Sequence, residues 1–179
     1  GKRITLLFDG VVLNDLQSVT DLGLKDGLTL YAIIEAPPVM VDPDGDHRTA
    51  SSQYGDGVEE SWYWAKVSCL SSRDDVGWAP EDDKLAGAYL QLDLDMACDV
   101  VGVVTKGGWD YGIPDYTVMV SLDGDAWDTV DDGAKFQGMP AKDNMIAVER
   151  LFAQPVEAKF VRICPLAEQT FMMRAGLLI

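Results

Sequence analysis

This chain has little of what most chemistries are built from. It carries one histidine (His47), two asparagines (Asn14, Asn144) and three cysteines (Cys69, Cys98, Cys164) in 179 residues. A single histidine that sits beside Pro43 and three aspartates leaves no His-based metal set. There is also no Gly-x-Ser-x-Gly elbow and no glycine loop that would cradle phosphate. An enzyme is therefore not expected. Neither asparagine opens an Asn-x-Ser/Thr sequon, and the cysteines match no Cys-x-x-Cys spacing, so they are expected to be buried thiols. The missing sequon favours an intracellular or organellar setting over secretion. Basic residues are scarce: 14 Lys and Arg stand against 30 Asp and Glu, a net charge of −16. Residues 1–36 hold three basic and five acidic side chains, so the acid is concentrated after residue 36. A nucleic-acid backbone would be repelled by such a field, and direct binding to an anionic membrane is disfavoured in the same way. No apolar run approaches the ~18 residues that a membrane-spanning helix needs.

What is present is β-type pattern. ITLLF (4–8), VVL (11–13) and LTLYAII (28–34) are short strand runs separated by Asp9-Gly10, Asn14-Asp15 and Asp26-Gly27 turns. Residues 35–48 (EAPPVMVDPDGDHR) hold three prolines and read as a semi-rigid linker, because proline fixes φ and lacks a ladder donor. Within it Asp42, Asp44 and Asp46 imitate the start of a calcium loop. Position 12 of that loop would be Gln53 instead of a bidentate glutamate. No cofactor is expected, with Ca²⁺ the one ion these carboxylates would suit.

From Ala50 onward the chain reads as all-β. Leu90, Leu92 and Leu94 alternate with Gln91, Asp93 and Asp95, as a half-buried strand requires. VVGVVT (100–105), YTVMVS (116–121), KFVRICP (159–165) and FMMRAGLLI (171–179) follow, and Asp123-Gly124 marks a hairpin turn. Many short strands without helices between them mean a sandwich or barrel. Arg162 and Arg174 interrupt apolar strands, where a cation must be paired to be tolerated, so both are expected to be structural.

Two resemblances organise these runs. LLFDG, VVLND, SVTDLGL and LTLYAII follow one another as in the second half of a ubiquitin-like β-grasp, over residues 1–35. That resemblance implies a partner face at Leu7, Tyr31 and Ile33, and a covering layer supplied from elsewhere. TASSQY, AYLQLDLD, VVGVVTKG, YTVMVSLDGDAW, KFVRICP and MRAGLLI follow the order of motifs in the discoidin family, the coagulation-factor type C domains, a resemblance that covers about residues 46–179 and puts the domain at 49–179. This second resemblance implies a jelly-roll β-sandwich whose ligands are gripped by loops at one end. Carried over, the loops are 55–63, 71–78 and 107–113. They hold Trp62, Tyr63, Arg73, Asp75, Trp78, Trp109, Asp110 and Tyr111 as candidate ligand-binding residues. Trp78 and Trp64 have a second reading as plugs of the barrel mouth. The family's closing disulfide has no counterpart, and Gly176 stands near its usual glutamate.

The expected function is non-catalytic recognition of a glycan or protein through these loops. The alternative is an architectural subunit of a larger multiprotein assembly, docking through the ubiquitin-like segment and the sandwich.

Overall fold

The structure, a computed structural model, describes residues 3–8, 11–12, 31–55, 62–108, 111–139, 146–167, 169 and 171–179, with side chains from residue 36 onward. The chain divides into two units, Gly1–Pro38 and Val39–Ile179. In the first, β1 (Arg3–Phe8) lies between β2 (Val11–Val12) and β3 (Tyr31–Glu35), antiparallel to both. The register puts Leu7 opposite Tyr31 and Thr5 opposite Ile33.

The second unit is the expected all-β sandwich. Its strands are β4 (Met40–Val41), β5 (Arg48–Ala50), β6 (Leu90–Gly107), β7 (Tyr116–Ser121), β8 (Asp128–Thr129), β9 (Val148–Pro165) and β10 (Met173–Leu178). They pair in the order β4-β10-β6-β9-β7-β8, with β5 added to β6. Two 18-residue strands replace the shorter runs read from sequence. The first part of β6 pairs with β5 and with the end of β9, while its last part pairs with β10 and with the start of β9. Each long strand thus passes from one sheet to the other. The passage is made at register shifts between Asp93 and Cys98 and between Val100 and Gly102. Bulges bend a strand and increase its twist, which is what a jelly-roll corner needs. Inward-facing Leu90, Leu92, Val100, Val103, Tyr116, Val118, Val161, Ile163 and Leu177 form the core between the sheets.

The linker expected over 36–48 is shorter than its proline content suggested. Leu177 pairs with Val41 and Leu178 with Met40, and Val39 exchanges two backbone hydrogen bonds with Ile179. Arg48 is buried, donating to the carbonyls of Pro43, Ser68 and Ala175 and to Asp42 at 2.7 Å. A guanidinium can satisfy several carbonyls at once, so this one residue sews the segment into the sandwich. Asp42 also accepts from the backbone N–H groups of Leu70 and Ser71. Its oxygens are therefore engaged within the fold. No cluster fit for a metal ion exists among the described residues.

The sequence's two interior arginines are paired. Arg162 lies between the rings of Trp127 (3.7 Å) and Tyr89 (4.0 Å), with its Nε on Gln91. The cysteines are free and half-buried, so less enclosed than expected, and burial pushes the Cys164 thiol up to about 11. Gly176 has a steric reason: a Cβ there would stand 2.6 Å from Leu70 Cδ1 and 2.9 Å from the Val41 carbonyl.

Candidate functional site

The loops at one end of the sandwich are held from below by Arg174. This fully buried side chain donates to the carbonyl of Gly107 (2.6 and 3.1 Å), to that of Ser72 (2.9 Å) and to Asp74 Oδ1 (2.9 Å). Loop 71–78 and the start of loop 107–113 are thereby fixed to the last strand and to each other. Asp74 also receives Lys106 Nζ at 3.1 Å, and hydrogen bonds from Arg174 and then Lys106 hold its carboxyl below the usual range. Met172 packs under both loops, where Gly77 and Gly108 leave room that a Cβ would fill.

Trp78 is not a ligand contact. It is completely buried, bridges to Met173 through backbone hydrogen bonds, donates its indole N–H to Ser52 and meets Phe171 edge-on at 5.5 Å. Its apolar surface packs within the hydrophobic core. The backbone around it carries the site. Gly77 N–H donates to the Trp62 carbonyl, Ala79 N–H to the Tyr63 carbonyl, and Tyr54 N–H to the Ala79 carbonyl.

These bonds draw Tyr63 beside Tyr54, ring to ring at 5.5 Å and nearly perpendicular. Tyr111 comes from the third loop. With Asp82, Ala79 and the Phe171 ring below, the three tyrosines line a cavity of ≈ 210 Å³. Burial, followed by the neighbouring Tyr111 and Tyr54, pushes the Tyr63 phenol up. An aromatic cup with Asp82 on its wall suits a ligand that offers an apolar or cationic face to the rings and donors to the acid.

Trp62 points elsewhere. It is 49% exposed and lines a separate groove of ≈ 600 Å³ with Lys66, Val67, Ser71, Ser72, Arg73 and Val76. Arg73 and Asp75, both on that second loop, form an ion pair with each other at 3.0 Å. The candidates therefore separate: Tyr63 and Tyr111 share the cup, Trp62 and Arg73 share the groove, and Trp78 joins the core. Trp109 and Asp110 lie outside the described residues. Tyr54 and Asp82 were missed in sequence. Tyr54 stands one position before the first loop, at the end of the TASSQY motif, and Asp82 follows Trp78-Ala-Pro-Glu, so adjacency to the motifs was the available signal.

Comparison with known proteins places this geometry. The F5/8 type C domain family matches residues 47–177. Neuropilin-1 of Gallus gallus is 29% identical over 165 residues, covering 87% of this chain and 16% of that protein. Lactadherin of Sus scrofa is 32% identical over 114 residues, covering 60% of this chain and 28% of that protein. The chain thus spans a minor part of the relatives it matches. Among solved structures, CpGH89CBM32-5 from Clostridium perfringens, in complex with GalNAc-beta-1,3-galactose, superposes with a TM-score of 0.58 at 16% identity, covering 78% of this chain and 99% of that one. Discoidin II of Dictyostelium discoideum gives 0.55 at 20% identity, covering 78% and 58%. These structural likenesses concern the fold.

Proposed function

The chain belongs to the F5/8 type C domain family, and on that premise we propose that it recognises a glycan through the cup formed by Tyr54, Tyr63, Tyr111 and Asp82. Domains of this type are non-catalytic modules that bind carbohydrate or protein, and in some neighbours they accompany an enzyme as an accessory module. The observation that carries the reading is three tyrosine rings converging on a cavity with a carboxylate on its wall. A sugar ring lays its C–H face on an aromatic ring, and its hydroxyls donate to a carboxylate. Structural neighbours were solved with galactose and with GalNAc-beta-1,3-galactose, which makes these the first probes.

Calorimetry with galactose and the GalNAc disaccharide tests the reading. Binding is expected, and Tyr63→Ala is expected to weaken it about fivefold, since ring stacking of this kind contributes on the order of 1 kcal/mol. Binding that survives Tyr63→Ala and Asp82→Asn unchanged would move the site away from the cup.

A second reading is favoured by charge. The net charge of −16 and Asp82 in the cup suit a protein partner that inserts a basic side chain among the tyrosines, by cation–π attraction. A lysine- or arginine-bearing peptide competing with the sugar would support it. Docking of the N-terminal sheet onto a neighbour through a ubiquitin-like face at Leu7, Tyr31 and Ile33 extends that reading to an assembly. Its support is the antiparallel order β2-β1-β3.

A further inference from the structure

We infer that the groove beside Trp62 is a second subsite, selective for a carboxylate-bearing sugar unit of the same glycan that occupies the tyrosine cup. This rests on the glycan reading of the cup and adds the charge class of the ligand. Trp62 and Tyr63 are consecutive, yet one lines the groove and the other the cup, so this short wall separates two cavities that a single oligosaccharide can straddle.

The two cavities are sorted by charge. Among the described residues of the cup wall Asp82 is the carboxylate, and its charge disfavours an acidic sugar there. The groove has an apolar floor of Trp62, Val67 and Val76, the hydroxyls of Ser71 and Ser72, and two cations, Lys66 and Arg73. Among the described residues around and beneath loop 71–76, the cations Arg48, Lys66, Arg73, Lys106 and Arg174 stand against the carboxylates Asp42, Asp74 and Asp75. The balance among these described side chains is positive in a chain whose total is −16. Asp74 is committed to Arg174 and Lys106, and Asp75 takes the Nε and Nη2 edge of Arg73. The Arg73 side chain is 69% exposed while held by Asp75. A guanidinium already oriented by one carboxylate loses less freedom when it takes another. Lys66 Nζ rests over the Trp64 ring at 4.4 Å, which steadies it at the rim. An exposed indole for the sugar face, hydroxyls for its OH groups and two cations for its carboxylate make one consistent subsite.

The test is an array of neutral and carboxylate-bearing oligosaccharides in pairs of equal length, probed with the intact chain and followed by calorimetry. Carboxylate-bearing members are expected to bind about tenfold tighter than their neutral pairs at low salt. The Lys66→Gln/Arg73→Gln double variant should erase that advantage. The Trp62 indole N–H, assigned by its loss in Trp62→Phe, should shift with acidic ligands. Tyr63→Ala should weaken both classes. Equal binding of the pairs, or an advantage that survives the double variant, overturns the second subsite while the cup reading stands. An array that retains no glycan overturns the cup reading and this inference with it.

Discussion

At the scale of single residues, two charged side chains carry distinct consequences. Arg174 is buried and satisfies carbonyls of two loops, so its removal leaves those carbonyls unpaired beneath the binding end. Arg174→Met is expected to lower stability by about 3 kcal/mol, the range for losing several buried charge-assisted bonds. Urea denaturation measures it, and a loss below about 1 kcal/mol would show that water replaces the guanidinium there. His47 is held differently, at the surface. Its Nδ1 lies 2.8 Å from Asp44 and its Nε2 3.1 Å from Asp95. A neutral imidazole has one N–H and can donate to only one of them, so the geometry is that of an imidazolium. The hydrogen bond to Asp44, then its charge, raises the His47 pKa above 6.5, with Asp95 and Asp93 adding to it. A raised folded-state pKa contributes stability that is complete below the unfolded value and is lost as pH rises through the folded one. NMR titration of this sole histidine should give a midpoint above 6.5 that falls in Asp44→Asn. A midpoint at or below 6.5 would mean that both contacts are absent in solution.

At the scale of elements, alternation made some strands legible and bulges hid others. Tyr116–Ser121 was read with its observed bounds because its inward Tyr116, Val118 and Val120 alternate without interruption. The first half of β9 was not read. Pro155 sits there among Leu151, Phe152 and Val156, and a proline demotes a strand pattern unless it falls at an irregularity. It does fall at one: Gly102 pairs with Leu151 while Val100 pairs with Val156, so the proline occupies the bulged stretch where no ladder donor is needed. In the same way the prolines of 36–48 suggested a semi-rigid linker, whereas Met40 and Val41 form an edge strand on β10. Proline marks where pairing is incomplete, which includes edges and bulges as well as linkers. The closeness of that edge strand gives a further expectation. In Gly176→Ala the new Cβ would press on the Leu70 side chain and the Val41 carbonyl, and overpacking of this kind costs roughly 1–3 kcal/mol. Hydrogen exchange should show Met40 and Val41 losing protection first. An unchanged melting temperature with intact protection would mean that β4 yields without strain.

At the scale of the whole molecule, the frame was readable and the site was readable only in part, for one physical reason. Motif order specifies which loops gather at one end, but which side chains meet depends on where each loop backbone turns. Trp62 and Tyr63 are neighbours in sequence and enter different cavities, Tyr54 reaches the cup through a backbone bond to Ala79, and Trp78 turns inward. None of these facts has a periodicity. The boundary of the folding unit was hidden similarly, because Arg48 acts through distant carbonyls, that of Ala175 lying 127 residues away. A fragment beginning at residue 39 keeps β4, Asp42 and Arg48, whereas one beginning at residue 49 removes all three. The second exposes β10 as an open edge and leaves the Ser68 and Ala175 carbonyls, now accepting from Arg48 at 2.8 and 2.9 Å, without their donor. Each buried carbonyl left unpaired costs about 1–3 kcal/mol, and an unpaired edge invites association. Residues 39–179 are therefore expected to melt cooperatively as a monomer, while 49–179 should melt at least about 10 °C lower or aggregate, given several kcal/mol lost from a domain of this size. Scanning calorimetry of the two fragments decides it: equal melting temperatures would mean that the sandwich begins at residue 49 and that the Arg48 bonds add nothing to it.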